Sequence, residues 1–469
     1  MATSPESLLQ RRLGPYDAAA IIVSNVIGGG ILFFPTLVAA NVPNPWLFLS
    51  TWLAGGALAF AGAMAYAELA TLRPRAGGEY VYLDAAFGRV AAFLTGWTSF
   101  VAGFSGAIAA SAAVFAFYLG RFVPGAANEA PLLVVPIPWV PLTVSRQTLV
   151  ALGVIALMCG IHVRGVGPGR IVGNVLAALK VSALVAFIAV GLTFGAGSAA
   201  NLKAVAGEVD PASWLLALVP VMFTYAGWNA ASYVAEEIRD PGRNVPLALA
   251  LGTTAVVAIY LLLNVLYLYV FPVGSLAAVK GSILDVIADR LLGARAGNVM
   301  GIVSIISLAA SISAMTIAGP RVYYAMARDG VFLPAAARVH PRYRTPAVSI
   351  VAQSIWSGLL VLSGGASALG RYTGFAVVLF SGIAVAALFV LRAREPAAPR
   401  PFKALGYPIA PAVFVLASLL IVANAIYSDP QVSGAGVLII LAGVPLYALF
   451  ARGLPATRIR NSEFGIRNS

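Results

Sequence analysis

Twelve runs of about 20 apolar residues follow one another along this chain, joined by short polar connections. They lie near 16–38, 46–72, 88–120, 147–163, 170–195, 213–238, 245–271, 296–326, 346–364, 370–392, 408–428 and 433–451. A soluble protein cannot hide them: the 469 residues are 60% hydrophobic and only 10% charged, too few polar groups to clothe the surface. Hydrocarbon is the solvent they fit. There every backbone group must be paired within its own segment, so each run is a helix. The reading is an all-α membrane protein with twelve transmembrane helices and the lipid bilayer as its first partner.

The formal net charge of +13 does not call for nucleic acid. With the N-terminus inside, 22 of the 30 Lys and Arg fall in inner segments and seven in outer ones. That bias is the positive-inside pattern; it places both termini in the cytoplasm and the chain in the cell membrane. Residues 1–15 read as a cytoplasmic N-terminus and 452–469, "RGLPATRIRNSEFGIRNS", as a disordered cytoplasmic tail. The one residue outside this division is Lys180, some ten residues from either end of the fifth span.

Other chemistry is sparse. Cys159 is the only cysteine, so no disulfide can form within the chain. His162 and His340 lack metal-ligand spacing, and no metal or cofactor is expected. "GVGPG" (165–169) lacks the lysine and hydroxyl residue of a phosphate loop, which argues against an ATP-driven pump. The spans carry no paired carboxylates or His/Cys cluster that an enzyme would need. The expectation is no enzyme.

Two spans are interrupted. "NVIGGGILFFP" (25–35) puts three glycines inside the first, at about 3 kcal/mol relative to alanine, with Pro35 soon after. "FTYAGWNAAS" (223–232) puts Gly227 and Asn229 inside the sixth. Breaks five spans apart lie in oppositely directed helices, the layout of an inverted five-helix repeat. The repeats are expected over 16–195 and 213–392, with helices eleven and twelve (408–451) outside them. Such glycines can also serve tight helix packing, but two breaks at matching positions favour a site. The amides of Gly29, Gly30 and Ile31 then open a half-helix whose positive end holds a carboxylate. The carbonyls of Phe223, Thr224 and Tyr225 close another whose negative end holds an ammonium. Together these ends describe a free α-amino acid. The aromatic flanks of the breaks favour alternating access over an open channel.

These residues resemble a known family. "VIGGGILFFP" is similar to the first-helix Gly-Ser-Gly signature of the amino acid–polyamine–organocation (APC) superfamily. "FTYAGWNAASYVAEEIRDPGRNVPLAL" resembles the sixth helix and following loop of its amino acid permeases. "YAELATLRPRAGGEYVYL" (66–83) and "PRVYYAMARDGVFLPAAARVHPRYRTP" (320–346) resemble the loops after helices two and eight. The resemblance implies the leucine-transporter (LeuT) fold, alternating access and amino acid substrates. Gly29 stands where the family often has serine, so backbone amides alone must hold the carboxylate, with Val26, Ile27 and Gly28 in the same substrate-binding stretch. By position Phe223 corresponds to the family's aromatic gate, and Ala226 and Gly227 to the side-chain pocket.

A lysine near the bilayer centre costs at least ~2.5–3.5 kcal/mol and must face the bundle interior with a partner. Sodium-independent members of the resembled family carry a fifth-helix lysine where relatives bind sodium, and Lys180 matches it. Its ammonium is expected to bond the unwound carbonyls near Val26 and Ile27. Ser304, Ser307 and Ser311 share one face of the eighth span, and Ser311 is placed near that ammonium. Glu68, Glu236 and Glu237 are expected to pair with Arg73, Arg239 or Arg243, and Asp17 to be an N-terminal helix charge.

The functional expectation is a secondary active transporter of α-amino acids, sodium-independent, an exchanger or facilitator. The alternatives are a proton symporter with Lys180 titrating, or a permease for cationic amino acids or polyamines. No acid is expected beside the breaks, which favours neutral substrates slightly over lysine, arginine or polyamines. No accessory subunit is indicated.

Overall fold

The computed structural model describes residues 9–451 apart from 139, 294, 365 and 429, with only the backbone of 366–375. The tail from 452 and the Arg371 side chain, both part of the charge reading, lie outside the described residues. Proline opens several helices, where its fixed φ suits the first turn: Pro15, Pro45, Pro211 and Pro241. Asn44 and Asp210 cap two of them, each side chain accepting from two amides.

Span one is Pro15–Val26 followed, after a 52° bend, by Gly30–Asn41. Spans two to five are Pro45–Leu72, Arg89–Leu119, Arg146–Val163 and Val166–Phe194. Span six is Pro211–Tyr225, continued by the single turn Ala230–Tyr233. Spans seven to twelve are Pro241–Val270, Ala296–Arg328, Ala347–Leu362, Ala366–Arg394, Ile409–Ser428 and Pro430–Ala451. Among the described residues nine helices are long and apolar enough to cross a bilayer, and the bent pair of span one makes ten. The shorter apolar helices of spans six and nine complete the twelve. The helix ends fall within four residues of the expected ones, except that span six ends at Tyr233 rather than near 238.

Two connections depart from the expectation. Residues Pro131–Val135 and Leu142–Ser145 form a two-stranded antiparallel hairpin, β1 and β2, so the chain is not helical throughout. Pro136, Pro138 and Pro141 forbid a helix there, while valines favour strand. The segment after span two is not a surface loop either. It folds back as the helix Glu79–Phe87 with Glu79, Tyr80, Val81, Tyr82 and Leu83 buried.

Span eight is the axis. In its apolar window 83% of residues are buried, and spans one, three, four, five and nine pack around it. One end of the bundle bears the hairpin; the other is tied by buried ion pairs, and we call it the basic end. There Glu237 takes a two-point bond from Arg321 (2.7 and 3.0 Å), with side chains 0% and 3% exposed. Glu236 pairs with Arg328, and Glu68 with Arg392 and Arg400. None pairs with Arg73, Arg239 or Arg243 as expected. These carboxylates face inward, towards arginines from spans eight and ten that sequence proximity does not reveal. Asp17 accepts from the Gly14 amide (2.7 Å) and from Asn174 (2.6 Å), a first-turn charge as expected.

Glu237→Gln should strand a buried guanidinium and cost about 3–5 kcal/mol. Glu395→Gln, at the half-exposed pair with Arg73, should cost under about 1 kcal/mol. Thermal unfolding of the two variants in detergent checks the contrast.

Candidate functional site

The first helix ends at Val26; Ile27 is extended (φ −75°, ψ 90°), and the helix restarts at Gly30 with no side-chain cap. Carbonyls freed at this depth need partners from other helices. Lys180 Nζ donates to Ile27 O (2.5 Å) and Ser24 O (3.2 Å). Ser311 Oγ donates to the same two oxygens, at 3.3 and 2.8 Å. The Val26 carbonyl is taken instead by the Tyr260 hydroxyl (2.9 Å), which also lies 3.3 Å from Thr224 O. Tyr260 thus bridges both breaks, and the lysine's second acceptor is Ser24 rather than Val26.

The second break begins where Tyr225 ends its helix. Gly227 adopts φ +107°, a conformation side-chain-bearing residues rarely take. Its carbonyl accepts from Asn25 Nδ2 (3.4 Å), and a Cβ on Gly227 would stand 2.6 Å from that nitrogen. Only glycine lets the two breaks touch. Of the three carbonyls expected to meet an ammonium, two already accept: Phe223 O from the Ala226 amide (3.1 Å) and Thr224 O from Tyr260.

Between the breaks lies a cavity of about 390 Å³. Val26, Gly28, Gly29, Gly30, Phe223, Thr224, Ala226, Gly227 and Ser311 line it. Ile27, Ile31 and Tyr225 do not. Ile27 and Ile31 are buried in the core at 1% and 2% exposure. Tyr225 turns away to donate to Trp52 O (3.1 Å) and packs on Trp52 and Tyr260. The glycines differ in duty: a Cβ on Gly29 would meet nothing within 4 Å, whereas one on Gly30 would press on Thr224 at 3.1 Å. Gly29 faces the cavity and Gly30 faces its neighbour helix.

With this geometry in hand, comparison with known proteins supplies the family. The family model for amino acid permeases matches residues 13–450. The chain belongs to that family. It is 30% identical to the b(0,+)-type amino acid transporter 1 of Mus musculus, over 94% of this chain and 88% of that one. It is 30% identical to the cystine/glutamate transporter of Homo sapiens (94% and 85%). It is 29% identical to the large neutral amino acids transporter small subunit 2 of Mus musculus (95% and 84%). The chain is therefore a multi-pass membrane protein of a transporter family and not an enzyme. One relative is named a small subunit, so the expectation that nothing indicates an accessory subunit is corrected.

The permease cavity also holds residues that the sequence did not single out. Glu79 lines it, 6% exposed, contradicting the expectation of no acid near the breaks. Its segment was read as a loop, yet four apolar or aromatic neighbours in "EYVYL" signal burial. Tyr260 carried no signal, being one aromatic in an apolar helix. Ser99 and Gly103, also in the cavity wall, bound a π-helical turn in span three.

Gly29→Leu should fill the cavity and abolish substrate binding while leaving thermal unfolding within a few degrees of the native permease. Gly30→Leu and Gly227→Ala should lower stability, the latter by at least about 1–3 kcal/mol of backbone strain. Unfolding and radioligand binding measured on all three variants separate the roles.

Proposed function

We propose that this permease moves free α-amino acids across the plasma membrane by alternating access, without sodium, as an exchanger or facilitator. The observation that carries the reading is the Lys180 ammonium on the freed carbonyls of Ser24 and Ile27, braced by Ser311. A tethered cation there satisfies the break as a bound metal cation would, with no ion carried through the cycle. The substrate carboxylate meets the open amides at Gly29. Its ammonium lies towards the end of span six, where Tyr225 O is the carbonyl with the fewest partners. Spans one to five and six to ten act as inverted repeats, with both termini cytoplasmic.

Phe223 is the gate in this reading. It is 41% exposed, and its ring meets Phe34 edge to face at 5.5 Å, joining the half-helices beyond the two breaks. The neutral preference expected from the sequence rested on there being no acid beside the breaks, and Glu79 removes that ground. Similarity to a transporter's small subunit adds a second subunit to the partners under test.

Uptake into sodium-free liposomes containing this chain alone is the experiment. Uptake should proceed without sodium, be stimulated by internal amino acid, and ignore a pH gradient beyond the substrate's own titration. Lys180→Ala should lower substrate affinity about tenfold or more, the scale of a lost charged hydrogen bond. Acid-driven accumulation abolished by Lys180→Ala would instead make the lysine a proton carrier, and sodium-stimulated uptake would exclude both versions. Transport by the chain alone would dispense with a second subunit. Phe223→Ala should reduce turnover more than equilibrium binding, with Phe223→Trp partly tolerated, as for a lid. Equal losses would make it a pocket wall.

A further inference from the structure

Among the described residues Glu79 is the one acid or base in the cavity wall. Three donors converge on it, from three different spans: Tyr66 OH at 2.6 Å, Asn229 Nδ2 at 2.8 Å and Ser381 Oγ at 3.2 Å. All three are neutral and end on Oε1, and the neutral Tyr233 hydroxyl also bonds the carboxyl group. The other buried carboxylates of the chain are treated differently. Glu68, Glu236 and Glu237 each hold an arginine. A buried carboxylate that is hydrogen-bonded but has no counter-charge is an incomplete pair.

We propose that Glu79 is the seat for the charged head of a basic amino acid side chain, an ammonium or guanidinium that enters from the cavity. The inference rests on the amino acid permease reading and names a substrate class for the same site. Asn229, which holds Glu79, lies two residues beyond Gly227, so the acid is fixed to the second break itself. Gly103, Ala107 and Ala226 give the cavity small-residue walls along which a methylene stem can lie. Tyr233 and Phe104, edge to face at 5.2 Å, stand in the same wall, and aromatic faces attract cations. The donors on Oε1 fix the orientation of the carboxyl group before a ligand arrives; the ligand supplies the missing positive charge.

The probe pair is L-lysine and L-norleucine, which differ by the side-chain ammonium. Both are measured as competitors of radiolabelled L-leucine uptake in sodium-free liposomes, with the full-length chain and with Glu79→Gln. L-Lysine should compete with the native protein, and Glu79→Gln should lower the lysine-to-norleucine affinity ratio about ten- to a hundredfold. Glu79→Asp should recover part of that ratio. Norleucine competition without lysine competition in the native protein overturns the seat and leaves the amino acid reading standing. Absence of leucine uptake and of competition by either probe overturns that reading itself. An unchanged ratio in Glu79→Gln also overturns the seat, whatever happens to total uptake. So does loss of acid-driven uptake at an unchanged ratio, which would make Glu79 a proton site.

Discussion

The structure depends on how span one's broken backbone is satisfied. A helix interrupted in hydrocarbon releases carbonyls that no water reaches, and leaving them bare would cost more than the break could return. Here three side chains from three spans take them: Lys180, Ser311 and Tyr260. Each donor in turn needs its helix at a set height and rotation. Spans five, seven and eight are therefore positioned by the needs of three residues in span one, Ser24, Val26 and Ile27. The cavity is the space that arrangement leaves. Gly29 borders it because nothing packs within 4 Å of where its Cβ would stand, and Gly227 borders it because Asn25 leaves no room for a side chain.

Charge burial follows the same accounting, with different outcomes at three depths. At the basic end each buried carboxylate meets an arginine, and the two-point bonds lock spans two, six, eight and ten together. In the middle the Lys180 amine meets backbone carbonyls and no carboxylate among the described residues. In the cavity wall the Glu79 carboxylate meets only neutral donors. Lys180 and Glu79 thus both lack an ion-pair partner among the described residues, Glu79 in the cavity wall and Lys180 behind the first break.

Much of this was legible in the residues. The twelve spans and both breaks follow from apolar run length and from glycine inside a helix, which are local properties. Lys180 stood out because a mid-membrane lysine has few explanations, and Ser311 because position put it on the facing span. What escaped was set by tertiary contact. The arginine partners of Glu68, Glu236 and Glu237 come from spans far along the chain. Tyr225 lies beside the break in sequence yet rotates into the Trp52–Tyr260 cluster, because a helix turns each successive residue by about 100°. Glu79 was missed because its charge and its two glycine neighbours look like a loop, and only packing shows that the segment folds inward.

The contacts also constrain how access can change sides. At the basic end the strand before span one is bonded to the chain after span six: Leu13 N to Glu237 O (3.0 Å) and Arg239 N to Leu13 O (2.9 Å). The same Glu237 holds Arg321 of span eight, and Glu236 accepts from the Ala76 amide (3.0 Å). The first half of span one therefore cannot swing out alone. Either it moves with the end of span six, breaking the arginine pairs, or the two backbone bonds break first. Its other end is held at Ser24 and Ile27 by Lys180 and Ser311, and at Val26 by Tyr260. Those donors sit at the bend, where rotation displaces atoms least. A long lysine stem can follow a small rotation that a short, rigid ligand shell could not. In the proposed alternating-access cycle the bend would be the pivot and the ion pairs the latch, which places the resistance to opening at the basic end rather than at the break.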